Sequence, residues 1–221
     1  MVLERSAIIL AGGMSKEFES EKALMNLEGK PLLCYVVEAV QDIAEQVIVV
    51  TDSKEVADAY AKIVPTADFV VNRTDLKGPL AEAAAGFEVA EGEYSLILPS
   101  GSPFVSPELI QLLFELCIGK SAVVPRWTNQ ECESLHAVYN TQIALQTAKQ
   151  LLAEGIDDMT ELVEKLRGVR YLSTMVIEQL DPDYRSFFTV TTQIALKKAI
   201  AMSKPNPKGK IKIQKKKQTR R

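Results

Sequence analysis

Residues Ala7 to Leu10 form a short aliphatic run that stops at Gly12-Gly13. A run of this length, with no polar alternation, suits one strand buried on both faces. Two adjacent glycines at its end let backbone N–H groups turn inward and approach a ligand closely, a nest that suits phosphate oxygens. Lys22 lies nine residues past Gly13, where it can add a positive charge to the same anion. Taken alone the pair is as often a plain turn, and Lys22 by its spacing reads as a solvated loop lysine.

The rest of the chain repeats strand and helix. Leu32, Tyr35, Val36, Ala39, Val40 and Ile43 recur at helical spacing behind Pro31. Val47–Val50 predicts a second buried strand, and Thr51-Asp52-Ser53 ends it and caps a helix over 54–62. Asp68–Val71 predicts a third strand, followed by a polar connector from Asn72 to Lys77. Gly78-Pro79 opens a helix with Leu80, Ala83, Ala84 and Phe87 on one face. Tyr94–Leu98 predicts a fourth strand. A small-residue connector, Pro99–Pro103, leads to a helix capped by Ser106 with Pro107 in its first turn. Further strands are expected at Ala122–Val124, Leu135–Tyr139 and Val169–Ser173, with helices near 141–153, 159–167 and 192–202. Continuous aliphatic strands alternating with helices predict an α/β fold of the Rossmann-like, doubly wound kind, with a mostly parallel sheet. Ligands of such sheets sit beyond the carboxyl ends of the strands. Gly12-Gly13, Thr51-Asp52, Asn72 and Ser100-Gly101 all fall at such ends.

With 221 residues the chain suffices for one sizeable domain, read as residues 1–203. No stretch reaches the length of a membrane span, and Met1-Val2-Leu3-Glu4-Arg5 does not read as a signal peptide. Cys34, Cys117 and Cys132 are isolated and odd in number, which predicts a reducing cytoplasm and no disulfide framework. His136 is the single histidine, so a His-based zinc cluster is excluded. Residues 204–221 hold nine Lys or Arg and no acid, leaving 17 basic against 29 acidic residues in 1–203. That tail is too polar to bury itself and is expected to be disordered. It reads as a solubilising tail or as an electrostatic arm for RNA, anionic lipid or the acidic body.

The opening stretch resembles the MobA-like nucleotidyltransferases, which begin L-A-G-G-x-S-x-R-x-G-x-x-K and continue to G-x-P-L-L. Leu10, Ala11, Gly12, Gly13, Ser15, Lys22, Gly29, Pro31, Leu32 and Leu33 match. Gly78-Pro79-Leu80-Ala81 resembles the family's G-P-L-A, and Leu98–Phe104 its L-P-C-D-M-P-F. Leu135–Tyr139 resembles L-H-A-V-Y, and Phe188–Thr192 resembles F-x-N-V-N-T. The resemblance implies a sheet of the nucleotide-diphospho-sugar transferase type. It implies transfer of GMP from GTP to a phosphorylated acceptor such as molybdopterin, with Mg²⁺. Backbone donors from Leu10 to Gly13 would hold the triphosphate and Lys22 would neutralise it. The helix opened by Gly78, Pro79 and Leu80 would lie beneath the base, with Asn72 nearest the family's purine-side acid. Ser100, Gly101, Ser102, His136 and Thr191 would line the substrate cleft.

Departures from the pattern cluster at the chemistry. The family aspartate that binds Mg²⁺ is Gly101, the last asparagine is Thr191, the loop arginine is Glu17 and the loop glycine is Glu19. At roughly 6 Å and an effective dielectric of about 20, one charge pair is worth on the order of 3 kcal/mol, so reversing a charge beside a triphosphate is costly. Asp52, at the end of the second strand, is the replacement metal ligand to consider. Glu17, Glu19 and Glu21 read as a solvated acidic loop or as holders of a bridging cation. His136 reads as a hydrogen-bonded wall residue rather than a base. Trp127 and Arg126 read as a clamp for a flat pterin or base, or as a loop aromatic with a basic neighbour. Two functions follow: a transferase, or a family member that keeps the fold as a nucleotide-binding or scaffold protein.

Overall fold

The structure, a computed structural model, describes residues 4–12, 22–76 and 78–204, and of Lys22 the backbone alone. Gly13, Ser15, Glu17, Glu19, Glu21 and the basic tail from 205 onward lie outside the described residues.

The first strand, β1 (Arg5–Leu10), is followed by a two-rung hairpin, β2 (Asn26–Leu27) and β3 (Lys30–Pro31). Then come α1 (Leu32–Val40), β4 (Gln46–Thr51), α2 (Lys54–Ala61) and β5 (Asp68–Val71). The middle of the chain supplies α3 (Pro79–Val89), β6 (Tyr94–Pro99), α4 (Pro107–Cys117) and β7 (Ala122–Arg126). Last are β8 (Ala137–Asn140), α5 (Thr141–Ala153), α6 (Met159–Lys165), β9 (Val169–Ser173), α7 (Thr174–Ile177) and α8 (Gln193–Ser203). The expected caps form: Ser53 Oγ accepts from the Val56 amide at 3.3 Å, and Ser106 Oγ from the Leu109 amide at 3.2 Å.

Seven strands make one sheet in the order β5-β4-β1-β6-β8-β7-β9. Alternate residues of β1 explain why its sequence is aliphatic throughout. Ile9 belongs to the apolar layer that holds Val36 and Val40 of α1 and Leu113 of α4, while Ile8 belongs to the opposite layer with Phe87 of α3 and Leu151 of α5. A third, small cluster joins Leu27 and Leu32 to Val190 and Ala199, and so fastens α8 to the hairpin.

Within the seven-stranded sheet all strand pairs are parallel except those of β8, which runs antiparallel to both β6 and β7. No helix bridges β7 to β8 to carry the chain back across the sheet, so the returning strand must reverse. Reversal places Ala137, the first residue of β8, opposite Ile97 near the carboxyl end of β6. Two sequence expectations change here. The strand expected over Leu135–Tyr139 begins only at Ala137, and His136 sits in a turn, its amide donating to the Glu133 carbonyl at 3.0 Å. The helix expected over 159–167 stops at Lys165. Among the described residues no helix is long and apolar enough to cross a membrane.

Candidate active site

Four parallel strands end side by side, and the ladder continues one residue beyond β1, β5 and β6. The Ala11 amide donates to the Val50 carbonyl at 2.9 Å, Asn72 to Thr51 at 2.8 Å, and Ser100 to Leu10 at 2.9 Å. This aligns the exits of β1, β4, β5 and β6 as the sequence predicts. Above β1 and β6 opens a cleft of about 520 Å³, lined among others by Gly12, Pro79, Glu82, Gly101, His136 and Thr191.

At the β1 exit the described donors are engaged within the protein. Ala11 is held by Val50, and the Gly12 amide donates to Glu82 Oε2 at 3.2 Å. A Cβ on Gly12 would stand 2.6 Å from Asp52 Oδ1 and 2.7 Å from Glu82 Oε1, so glycine is what lets the two carboxylates flank the chain. Glu82 is 5% exposed and lies in the first turn of α3, where the helix dipole favours a negative charge. Spacing does not reveal this role, because an acid among alanines on a helix reads as solvent-facing. The Lys22 backbone forms a short 3₁₀ turn with Ala23 and Leu24 that leads into the hairpin.

Asn72 closes its own loop instead of facing the cleft. It is 1% exposed, donates to the Leu76 carbonyl at 3.1 Å and accepts from the Thr74 amide and hydroxyl at 3.1 and 2.8 Å. It lines a separate groove beside β5 and α3. The N-terminus of α3 is also taken from within. Asp157 accepts from the amides of Gly78 at 2.7 Å, Leu80 at 2.9 Å and Ala81 at 3.0 Å. Pro79 faces the cleft, while the Leu80 side chain is wholly buried in the core.

At the β6 exit the groups are hydroxyls and one imidazole. Ser102 Oγ lies 3.0 Å from His136 Nε2 and 3.1 Å from Thr189 Oγ1. His136 is 4% exposed, its Nδ1 stands 3.7 Å from Glu133 Oε2, and Phe187 packs edge-on against the ring. Burial pushes the Glu133 carboxyl up, but the facing His136 and the indole N–H of Trp127, 2.6 Å away, outweigh it and hold the group below its ordinary value. Trp127 also packs against Tyr184 and Phe187, and Arg126 lies over the Tyr171 ring at 4.0 Å. Both members of the expected clamp therefore have partners inside the protein. Ser100 is buried and Thr191 exposed, both on the cleft wall.

The Mg²⁺ implied by the family motif does not fit at the β6 exit. Gly101 has no side chain to offer, and a Cβ there would meet the Val190 carbonyl oxygen at 2.8 Å. Among the described residues no group of three His, Cys, Asp or Glu side chains is disposed to hold a metal ion. Asp52 lies across β1 from this position, beside Glu82.

Comparison with known proteins agrees with this architecture. The MobA-like NTP transferase domain matches residues 7–169. A probable molybdenum cofactor guanylyltransferase of Methanosarcina mazei is 30% identical over 210 residues, covering 90% of this chain and 92% of that protein. Its counterpart in Methanosarcina acetivorans is 31% identical over 198 residues, covering 85% and 86%. Among solved structures, molybdopterin-guanine dinucleotide biosynthesis protein A from Archaeoglobus fulgidus superimposes with a TM-score of 0.77 at 24% identity, covering 89% of this chain and 97% of that one. A 4-diphosphocytidyl-2C-methyl-D-erythritol synthase from Anaerococcus prevotii, at 16% identity and a TM-score of 0.69, covers 90% and 95% and shares the fold. On the strength of the domain match and these relatives, the chain belongs to the MobA-like NTP transferase family.

Proposed function

We propose that this protein transfers GMP from GTP to a phosphorylated acceptor such as molybdopterin. The observation that carries the reading is the open cleft above the aligned exits of β1 and β6, in a chain whose relatives bear the guanylyltransferase name along most of their length. In the reaction an acceptor phosphate oxygen bonds to the α-phosphorus of GTP. The bond from that phosphorus to the bridging oxygen breaks, and pyrophosphate leaves with the electron pair. Negative charge grows on the phosphoryl oxygens, and Lys22 is the cation assigned to it. Gly12 marks the floor on which the triphosphate would lie, with Pro79 at the side of the base. Asp52 and Glu82 stand beside that floor and disfavour an unscreened polyanion. A divalent cation arriving on the triphosphate would meet these two carboxylates first, as such ions need only one or two from the protein.

Pyrophosphate release, measured with each NTP, Mg²⁺ and a phosphorylated pterin acceptor, tests the proposal. GTP is expected to be preferred, and Lys22→Ala to lower kcat/KM by about a hundredfold, as loss of a transition-state cation does. Absence of turnover in cooperatively folded protein would leave the second reading, a nucleotide-binding or scaffold protein. That reading is favoured by the engaged Gly12 amide and by the closed position at Gly101. Calorimetry with GTP separates a binding protein from one that has lost the ligand.

A further inference from the structure

The exit of β6 is covered by a segment of the chain's own backbone. The Val190 amide donates to the Gly101 carbonyl at 2.8 Å, and the Val190 carbonyl sits where a side chain at position 101 would begin. One residue on, Ser102 Oγ links to Thr189 of the same segment and to His136 from the turn before β8. Val190 is itself fully buried against Leu27, Leu32 and Ala199. Its neighbour Phe188 packs on Phe104, with ring centres 6.2 Å apart. The segment 188–191 is therefore held from three sides: backbone to Gly101, hydroxyl to Ser102, and apolar packing to the hairpin and α8.

We propose that Ser102 and His136 are positioning residues that, with Gly101, seat the 188–191 strap on the exit of β6, and that this exit is the strap's seat and not a cation site. A carboxylate at 101 would have to displace a backbone carbonyl. A serine at 102 supplies the hydroxyl that the imidazole orients and Thr189 shares. Thr189, Val190 and Thr191 form one wall of the cleft, so the seat fixes that wall's position. His136 can do this because reversal of β8 delivers it to the same end of the sheet as Ser102. Glu133, on the loop before β8, is the titratable side chain placed against the ring. The other contacts of the ring, Ser102 and Phe187, carry no charge in the working range.

Hydrogen exchange on the full, ligand-free chain tests the seat. Ser102→Ala and His136→Gln are each expected to speed exchange of the Val190 amide by about tenfold, with the core strands β1 and β6 still protected. Because both act through one link, the double variant should exchange no faster than about either alone. An unchanged Val190 amide in Ser102→Ala overturns the seat. The part concerning the cleft rests on the transferase reading. If that holds, both variants should raise the KM for GTP or acceptor more than they lower kcat, and an equal fall in kcat without a KM change would count against positioning. Crystals grown with GTP and Mn²⁺ supply the remaining arm. No anomalous peak is expected within ligand distance of residues 100–102, and a peak there overturns the claim. Crystals without GTP in the cleft would defeat the transferase reading, and the exchange data would then judge the seat alone.

Discussion

Two glycines mark the exits of neighbouring parallel strands, and they are used in opposite ways. Gly12, after β1, makes room for the side-chain ends of Asp52 and Glu82, while Gly101, after β6, makes room for the backbone carbonyl of Val190. Side-chain ends swing aside at little cost, whereas a backbone that is hydrogen-bonded and buried on both sides of the contact does not. The first exit can therefore rearrange around a ligand. The second is part of the fold. The difference shows that a missing side chain in a familiar motif need not leave a hole: here the space belongs to another segment.

Substitutions can break or sharpen this contrast. The largest effect is expected from Gly101→Ala, whose Cβ collides with Val190; overpacking of this kind costs about 2 kcal/mol, read as a lowered melting temperature. Asp157→Ala comes next, at about 1–2 kcal/mol, since it strips the acceptor from three amides at the N-terminus of α3, just behind the β1 exit. Gly12→Ala should cost about 1 kcal/mol or less in stability and yet weaken GTP binding by about tenfold or more, seen by calorimetry. If Gly12→Ala destabilises as much as Gly101→Ala, the contrast between the exits fails. The smallest effect is expected from Glu133→Gln and appears only in acid. The folded Glu133 carboxyl lies below its ordinary value, so its contribution is present above about pH 4.3 and is lost as pH falls through the folded value. Wild type should thus lose melting temperature faster than the variant below about pH 4.3, and the two curves should run parallel above it.

The legible parts of the fold were those written in contiguous residues. The aliphatic runs of β1, β4 and β6 and the caps Ser53 and Ser106 stand where the sequence places them. The direction of β8 was not legible, because an aliphatic run looks the same whichever way it points. The strand also starts two residues later than expected, which leaves His136 in the turn before it. Gly12, Pro79, Ser100, Gly101, His136 and Thr191, singled out by the resemblance, line one cleft, since short motifs carry strand ends with them. The resemblance could not show that Asn72 is spent on its own loop, or that Glu82 reaches Gly12 across 70 residues. Those depend on side-chain aim, which spacing does not encode. Ser102, expected on the cleft wall, is fully buried and absent from the cleft lining, and its bond to Thr189 needs a partner 87 residues away.

Asp157 reaches back 79 residues to close the first turn of α3. The acceptor for those amides is made only after α5 has been added, so the helix beside the β1 exit is finished late. During synthesis the first half of the sheet can pair its strands, yet the start of α3 must rely on water until the loop ahead of α6 docks. Completion of the domain and completion of this wall of its cleft are in this way a single event, and a chain truncated before Asp157 would stop short of both.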